Sequence, residues 1–200
     1  MPIPTGGKPR WIEARDNPFG IRVFDCRPFT RTATATSRDL NIAQQFAASR
    51  SDNGSSRRHQ LPAEAVTVEC ELRYAKSVPF IDGPFYRARN MEEKWDIDYF
   101  DNRMYFSRSW SGLLALVANV KQQPVGFEIL SIFTVPVPSL ETVPSDVDFL
   151  IKTYLFHAEA PHRVSQEIPD EEMAIVTYSF SKFGRDASFA TYSDTTRIKL

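Results

Sequence analysis

An arginine on the apolar face of a strand must either meet an opposite charge or open into a polar cavity, because an isolated buried charge is costly to desolvate. Arg108 holds such a position. It lies in segment 103–110 (Arg-Met-Tyr-Phe-Ser-Arg-Ser-Trp), joined to segment 94–100 (Lys-Trp-Asp-Ile-Asp-Tyr-Phe) by Asp101-Asn102. Both turn residues tolerate left-handed dihedrals, so the two segments read as a β-hairpin. Pairing Phe100 with Arg103 sets Tyr99 opposite Met104, Ile97 opposite Phe106 and Trp95 opposite Arg108; continued pairing sets Glu93 opposite Trp110. Glu93 is then the diagonal partner of Arg108, and Trp95 and Trp110 flank the guanidinium. Ser107, Ser109 and Ser111 add hydroxyls beside it.

This constellation has two chemical readings. An arginine between tryptophans can hold a carboxylate or phosphate while an indole stacks on a planar ring, with Glu93 or Asp96 available as an acid or base. The other is a structural ion pair packed among aromatics at the end of a sheet. Glu92, Glu93, Asp96, Asp98 and Asp101 are concentrated enough to suggest a divalent cation, but their spacing is not that of a calcium loop. Strand alternation sends Glu93 to one face and Asp96 and Asp98 to the other. There Asp98 meets Tyr105 and Asp96 meets Ser107, which predicts a solvated face.

Elsewhere the chemistry is sparser. His157, Glu159 and His162 are ligand types, but their spacing is not that of a helical zinc motif and Pro161 interrupts them. Cys26 and Cys70 are far apart and read as buried thiols within strands, each distant in sequence from the histidines His59, His157 and His162. No glycine-rich phosphate cradle and no G-x-S-x-G elbow occurs. No cofactor and no metal is expected.

The elements that position these residues follow from periodicity. Residues 66–74 alternate strictly, Val66, Val68, Cys70, Leu72 and Tyr74 against Thr67, Glu69, Glu71 and Arg73, which predicts a strand. Asn17-Pro18-Phe19-Gly20 predicts a tight turn leading into a strand over 21–26. Strands over 94–100, 103–110, 113–120 and 125–135 form a meander, the last two apolar on both faces. Residues 75–90 are punctuated by Pro79, Gly83 and Pro84 and predict no regular structure. Helices are expected from about 39 to 50 with Thr36 and Ser37 as caps, from Ser145 to about 157, and over 170–183 ending at Gly184. The last segment also alternates like a strand through Ala174, Val176, Tyr178 and Phe180.

The expected fold is α+β: a mainly antiparallel sheet of five or six strands carrying two or three helices. It is read as a single domain spanning 1–200. Residues 51–60 contain no hydrophobic side chain and predict an exposed, mobile loop, and 187–200 predict an extended tail.

Composition narrows the function classes. A net charge of −1, with no basic block, gives no electrostatic footprint for nucleic acid or an anionic membrane. Arg57, Arg58 and His59 alone could touch a phosphate backbone. The absence of an apolar run of signal-peptide or membrane-spanning length leads to the expectation of a cytoplasmic protein. A non-catalytic interaction protein binding a protein partner, as an immunity or accessory factor does, is the leading expectation. The alternative is a small enzyme or ligand-binding domain taking a small anionic molecule at Arg108.

Two stretches also carry a resemblance: Trp11 with Asn17-Pro18-Phe19-Gly20 and Asp25-Cys26-Arg27-Pro28, then Met91-Glu92-Glu93-Lys94-Trp95 with Tyr105-Phe106-Ser107-Arg108-Ser109-Trp110. Over about the first two thirds of the chain, they resemble a loose group of uncharacterised bacterial proteins. The resemblance implies a bacterial source and brings no activity, cofactor or catalytic residue.

Overall fold

The computed structural model describes residues 7–35, 37, 39–76 and 78–198. Its strands are β1 (Arg10–Ile12), β2 (Val23–Asp25), β3 (Val66–Tyr74), β4 (Gly83–Tyr86), β5 (Trp95–Phe100), β6 (Arg103–Arg108), β7 (Leu114–Gln122), β8 (Phe127–Thr134), β9 (Pro161–Arg163) and β10 (Phe189–Thr191). Its α-helices are α1 (Arg27–Thr30), α2 (Leu40–Ser49), α3 (Val143–Leu150) and α4 (Glu172–Phe183). The fold is α+β, with a six-stranded antiparallel sheet and a four-stranded mixed sheet. The chain divides into two compact units, Thr36–Pro144 and Met1–Ala35 with Ser145–Leu200. No glycine-rich or charged linker marks the division, since one border falls inside the first turn of α3.

The first unit is built on the sheet β3-β8-β7-β6-β5-β4. The β5–β6 register is the one the hairpin turn dictates, with Trp95 opposite Arg108 and Phe100 opposite Arg103. Asp101 and Asn102 both adopt left-handed dihedrals (φ 49° and 58°), which matches the twist of the flanking strands. The ends of the meander strands shift by at most two residues, and bulges interrupt β6–β7 between Phe106 and Ser107 and β7–β8 between Asn119 and Val120. Tyr105, Phe106, Met104, Ile97, Phe127, Ile129 and Ile132 are fully buried. The 75–90 stretch departs from expectation, since β4 pairs with β5. Pro84 is tolerated there because β4 is an edge strand, where a missing N–H breaks no ladder.

The second unit holds the sheet β1-β2-β10-β9, antiparallel except for β10 with β9. Segment 187–200 is thus not simply an extended tail: Phe189, Ala190 and Thr191 are buried between two neighbouring strands. The Asn17 turn is held by its own side chain, which donates to the carbonyls of Glu13 and Ile21 and accepts from the Phe19 amide. Phe24, Cys26, Val164, Ile175, Val176 and Ala190 form one core cluster, and Ile12, Val23 and Phe189 another. Cys26 sits just after β2 rather than within it, and burial pushes its thiol up to about 12. Cys70, in β3, is pushed up to about 11, again chiefly by burial. Both are free thiols and both are held in the unreactive form.

Segment 170–183 resolves as helix: α4 ends on Gly184, whose φ of 72° suits a residue without a side chain. Other helix starts differ from expectation. Asp39, not Ser37, caps α2 by accepting from the Asn41 amide at 2.9 Å, while Thr36 lies outside the described residues. Helix α3 begins at Val143, two residues before Ser145, because a proline at the second position costs no helical hydrogen bond. It continues into a π-helical turn, Ile151–Leu155. Among the described residues, no helix is long and apolar enough to cross a membrane.

Candidate recognition site at the end of the β5–β6 hairpin

The predicted site residues are brought together, but with different partners from those expected. Arg108 stacks on Trp95, its guanidinium carbon 4.8 Å from the ring centre. Glu93 is fully buried and its partners lie elsewhere: it accepts from the Arg89 amide and side chain (2.8, 3.0 and 2.8 Å) and from Tyr86 Oη at 2.5 Å. Burial raises the Glu93 carboxyl, but the hydrogen bonds from Arg89 and Tyr86 outweigh it and leave it below the usual range. The assignment of Glu93 to Arg108 is therefore corrected. Regular pairing stops at Trp95, and the 89–93 turn carries the Glu93 carboxylate toward its own amides.

The other members act as fasteners. Ser109 donates from Oγ to the Glu93 carbonyl at 2.6 Å and from its amide to the Lys94 carbonyl at 3.0 Å. Trp110 donates from Nε1 to the Met91 carbonyl at 2.7 Å. Ser107 is buried, and its hydroxyl has no hydrogen-bond partner among the described residues.

A residue not foreseen as part of the site, Lys94, completes it. Its ammonium lies 4.4 Å from the Trp110 ring centre and donates to the Met91 carbonyl at 2.9 Å. Burial and, after it, the neighbouring Arg108 lower the Lys94 ammonium to about 8, with Glu92 opposing both. Two cations thus sit at one end of one hairpin, each on the indole that follows the other in sequence. Leu113, whose carbonyl accepts from the Arg108 amide, is 55% exposed beside them. The signal in the sequence was the dipeptide Lys94-Trp95 itself, in which strand alternation sends the lysine off the Trp95 face.

The Asp96 and Asp98 face overturns the expectation of a solvated surface. Both carboxylates are buried, at 1% and 0% exposure. Asp96 accepts two bonds from Arg50 (2.9 and 2.7 Å) and one from the Ala88 amide (2.8 Å). Asp98 accepts from Arg57 at 3.2 Å and from Arg87, and Arg57 also pairs with Asp52 at 2.8 Å. Burial raises the Asp98 carboxyl above its ordinary value despite Arg87 and Arg57, and Asp96 adds repulsion. Arg50 reaches onward to the Ser109 carbonyl at 3.4 Å, which ties this network to the Arg108 end.

The 51–60 segment is part of the same network, not simply an exposed loop. It contains a 3-10 turn, Ser55–Arg57, and Arg57 is only 8% exposed. Arg58 pairs with Asp101 at 2.5 Å, and the His59 amide donates to Tyr105 Oη at 3.2 Å. Ordering comes from ion pairs that a search for hydrophobic residues does not register. Gly54 allows the approach: a β-carbon there would lie 2.1 Å from Asp98 Oδ1, and φ is 77°. Gly54→Ala is expected to cost about 3 kcal/mol, from backbone strain and overpacking together, read as a lower urea midpoint with an unchanged slope.

His157, Glu159 and His162 do not converge. His162 is buried among Phe149, Phe183 and Tyr178, whereas Glu159 pairs with Arg31. Among the described residues, no group of three or more histidine, cysteine or acidic side chains is placed to hold a metal ion. Comparison with protein-family models, with curated proteins and with solved structures finds no match to this chain.

Proposed function

We propose that this protein is a recognition module that binds an acidic segment of a partner protein at the Lys94–Arg108 end of the β5–β6 hairpin. The observation that carries the reading is the pair of cations each held on an indole, Arg108 on Trp95 and Lys94 on Trp110, next to the exposed Leu113. Tryptophan and arginine dominate binding energy at protein interfaces when they are held rigidly beside apolar surface. Here the rigidity comes from the Ser109, Trp110 and Arg50 bonds and from the buried ion pairs behind them. A carboxylate arriving at this end meets the Arg108 guanidinium, the buried Lys94 adds positive potential, and Leu113 with Trp110 supplies apolar contact for its neighbours.

The test uses intrinsic fluorescence, since two of the three tryptophans of the chain lie in the site. Peptides that mix Glu or Asp with Leu are expected to quench saturably, with affinity falling as salt rises. Arg108→Ala is expected to weaken binding at least tenfold in a protein that still unfolds cooperatively in urea. Equal binding by Arg108→Ala, or equal quenching by free citrate at matched ionic strength, would refute the reading. The second outcome would transfer the site to small anionic ligands.

A further inference from the structure

The segment between α3 and β9 is locally unusual. Its π-helical turn, Ile151–Leu155, closes with the Phe156 amide donating to the Ile151 carbonyl at 3.2 Å. The Ala158 amide then donates to the Lys152 carbonyl at 3.0 Å, and His157 between them is held at a φ of 55°. Single π turns recur at functional sites, and a left-handed non-glycine residue is retained where surrounding structure over-determines it. Both features border a cleft of about 290 Å³ whose lining includes Arg31, Thr153, His157, Glu159, Arg185 and Asp186.

Glu159 is already taken by Arg31 and lies 3.9 Å from Arg27. Among the described residues, by contrast, Arg185 makes no ion pair or hydrogen bond, and the buried Thr153 hydroxyl has no partner. The His157 side chain likewise makes no hydrogen bond among the described residues. The donors the cleft offers are a guanidinium, an imidazole and a hydroxyl, drawn from two chain segments, and its lining also contains the Glu159 and Asp186 carboxylates. We infer that this cleft binds a small phosphorylated molecule through its phosphate, with Arg185 as the main contact and His157 and Thr153 completing the donor set. A tetrahedral anion offers acceptors in several directions, which suits three donors of different geometry better than a planar carboxylate does. The inference is independent of the recognition site at Arg108.

The experiment is a titration of the full chain with inorganic phosphate, and separately with acetate at matched ionic strength, followed by amide and histidine-ring NMR. Saturable shifts at the His157 ring and at the amides of Ala158 and Ser188, which also line the cleft, are expected with phosphate. They should weaken at least tenfold in Arg185→Ala, an exposed position whose replacement leaves the fold intact, and should be unchanged in Arg108→Ala. Linear shifts that never saturate, equal binding by Arg185→Ala, or acetate binding as tightly as phosphate would each overturn the inference. Thr153→Val is expected to weaken phosphate binding without loss of dispersed amide signals.

Discussion

Asp98→Ala is expected to lose roughly 3–5 kcal/mol of folding stability, the cost of stranding buried charge when one partner of a desolvated pair is removed. Arg87 and Arg57 both depend on this carboxylate, and their side chains are only 16% and 10% exposed. The pair attraction is not itself a large source of stability. Burial outweighs it and leaves the Asp98 carboxyl above its ordinary value. The loss in the variant therefore comes from uncompensated guanidinium desolvation and not from a forfeited attraction. It follows that Asp98→Leu combined with Arg87→Met should recover much of the loss, with Arg57 retained on Asp52 at 2.8 Å. Urea unfolding of the single and double variants checks both statements. A loss below about 1 kcal/mol in Asp98→Ala would contradict the buried network, since surface ion pairs are worth no more than that.

The second large effect is acid destabilisation through His162. Its ring is fully buried and lowered to about 3, first by burial and further by Lys182, with the Arg163 carbonyl opposing. An unfolded histidine titrates near 6.5, so between 6.5 and about 3 the unfolded state binds more protons. Stability therefore rises with pH across that window. On acidification it falls by an amount on the order of 4 kcal/mol and stops falling below about 3, where both states are protonated. Asp146, whose carboxyl burial raises despite Lys182 at 2.7 Å, acts in the opposite direction, because acid protonates it more readily in the folded state. Tyr178, whose hydroxyl burial raises above its ordinary value, also faces this centre. The difference between parent and His162→Phe isolates the histidine: the variant is expected to lose much less stability than the parent between pH 7 and pH 4. Parallel losses in the two proteins would show that acid acts elsewhere.

Period and turn chemistry were enough to establish much of the hairpin region from sequence. The alternation over Val66–Tyr74, the Asp101-Asn102 turn and the full β5–β6 register are consequences of local stereochemistry, and each is found in the structure. The same register correctly placed Arg108 on Trp95. The α+β class followed from the mixture of helical and alternating segments. A helix at 172–183 also won over the alternating pattern, because its acidic first turn and Gly184 stop signal are position-specific and alternation of four residues is not.

Which partner each charge takes was decided only by the tertiary structure. Asp96 and Asp98 alternate onto a face that looks aqueous in isolation, yet Arg50, Arg57 and Arg87 come from other elements and convert it into a buried ion network. Glu93 turned away from Arg108 because a local turn offered it an amide and the Arg89 side chain. Lys94 reached the Trp110 ring, a contact between residues sixteen positions apart that the fold brings together. Strands β4 and β10 escaped detection for a related reason: short strands take their hydrogen bonds from neighbours distant in sequence, so little of their stability is written in their own residues. Backbone periodicity is a local property and is legible along the chain, whereas electrostatic pairing depends on which charges folding brings within a few ångströms.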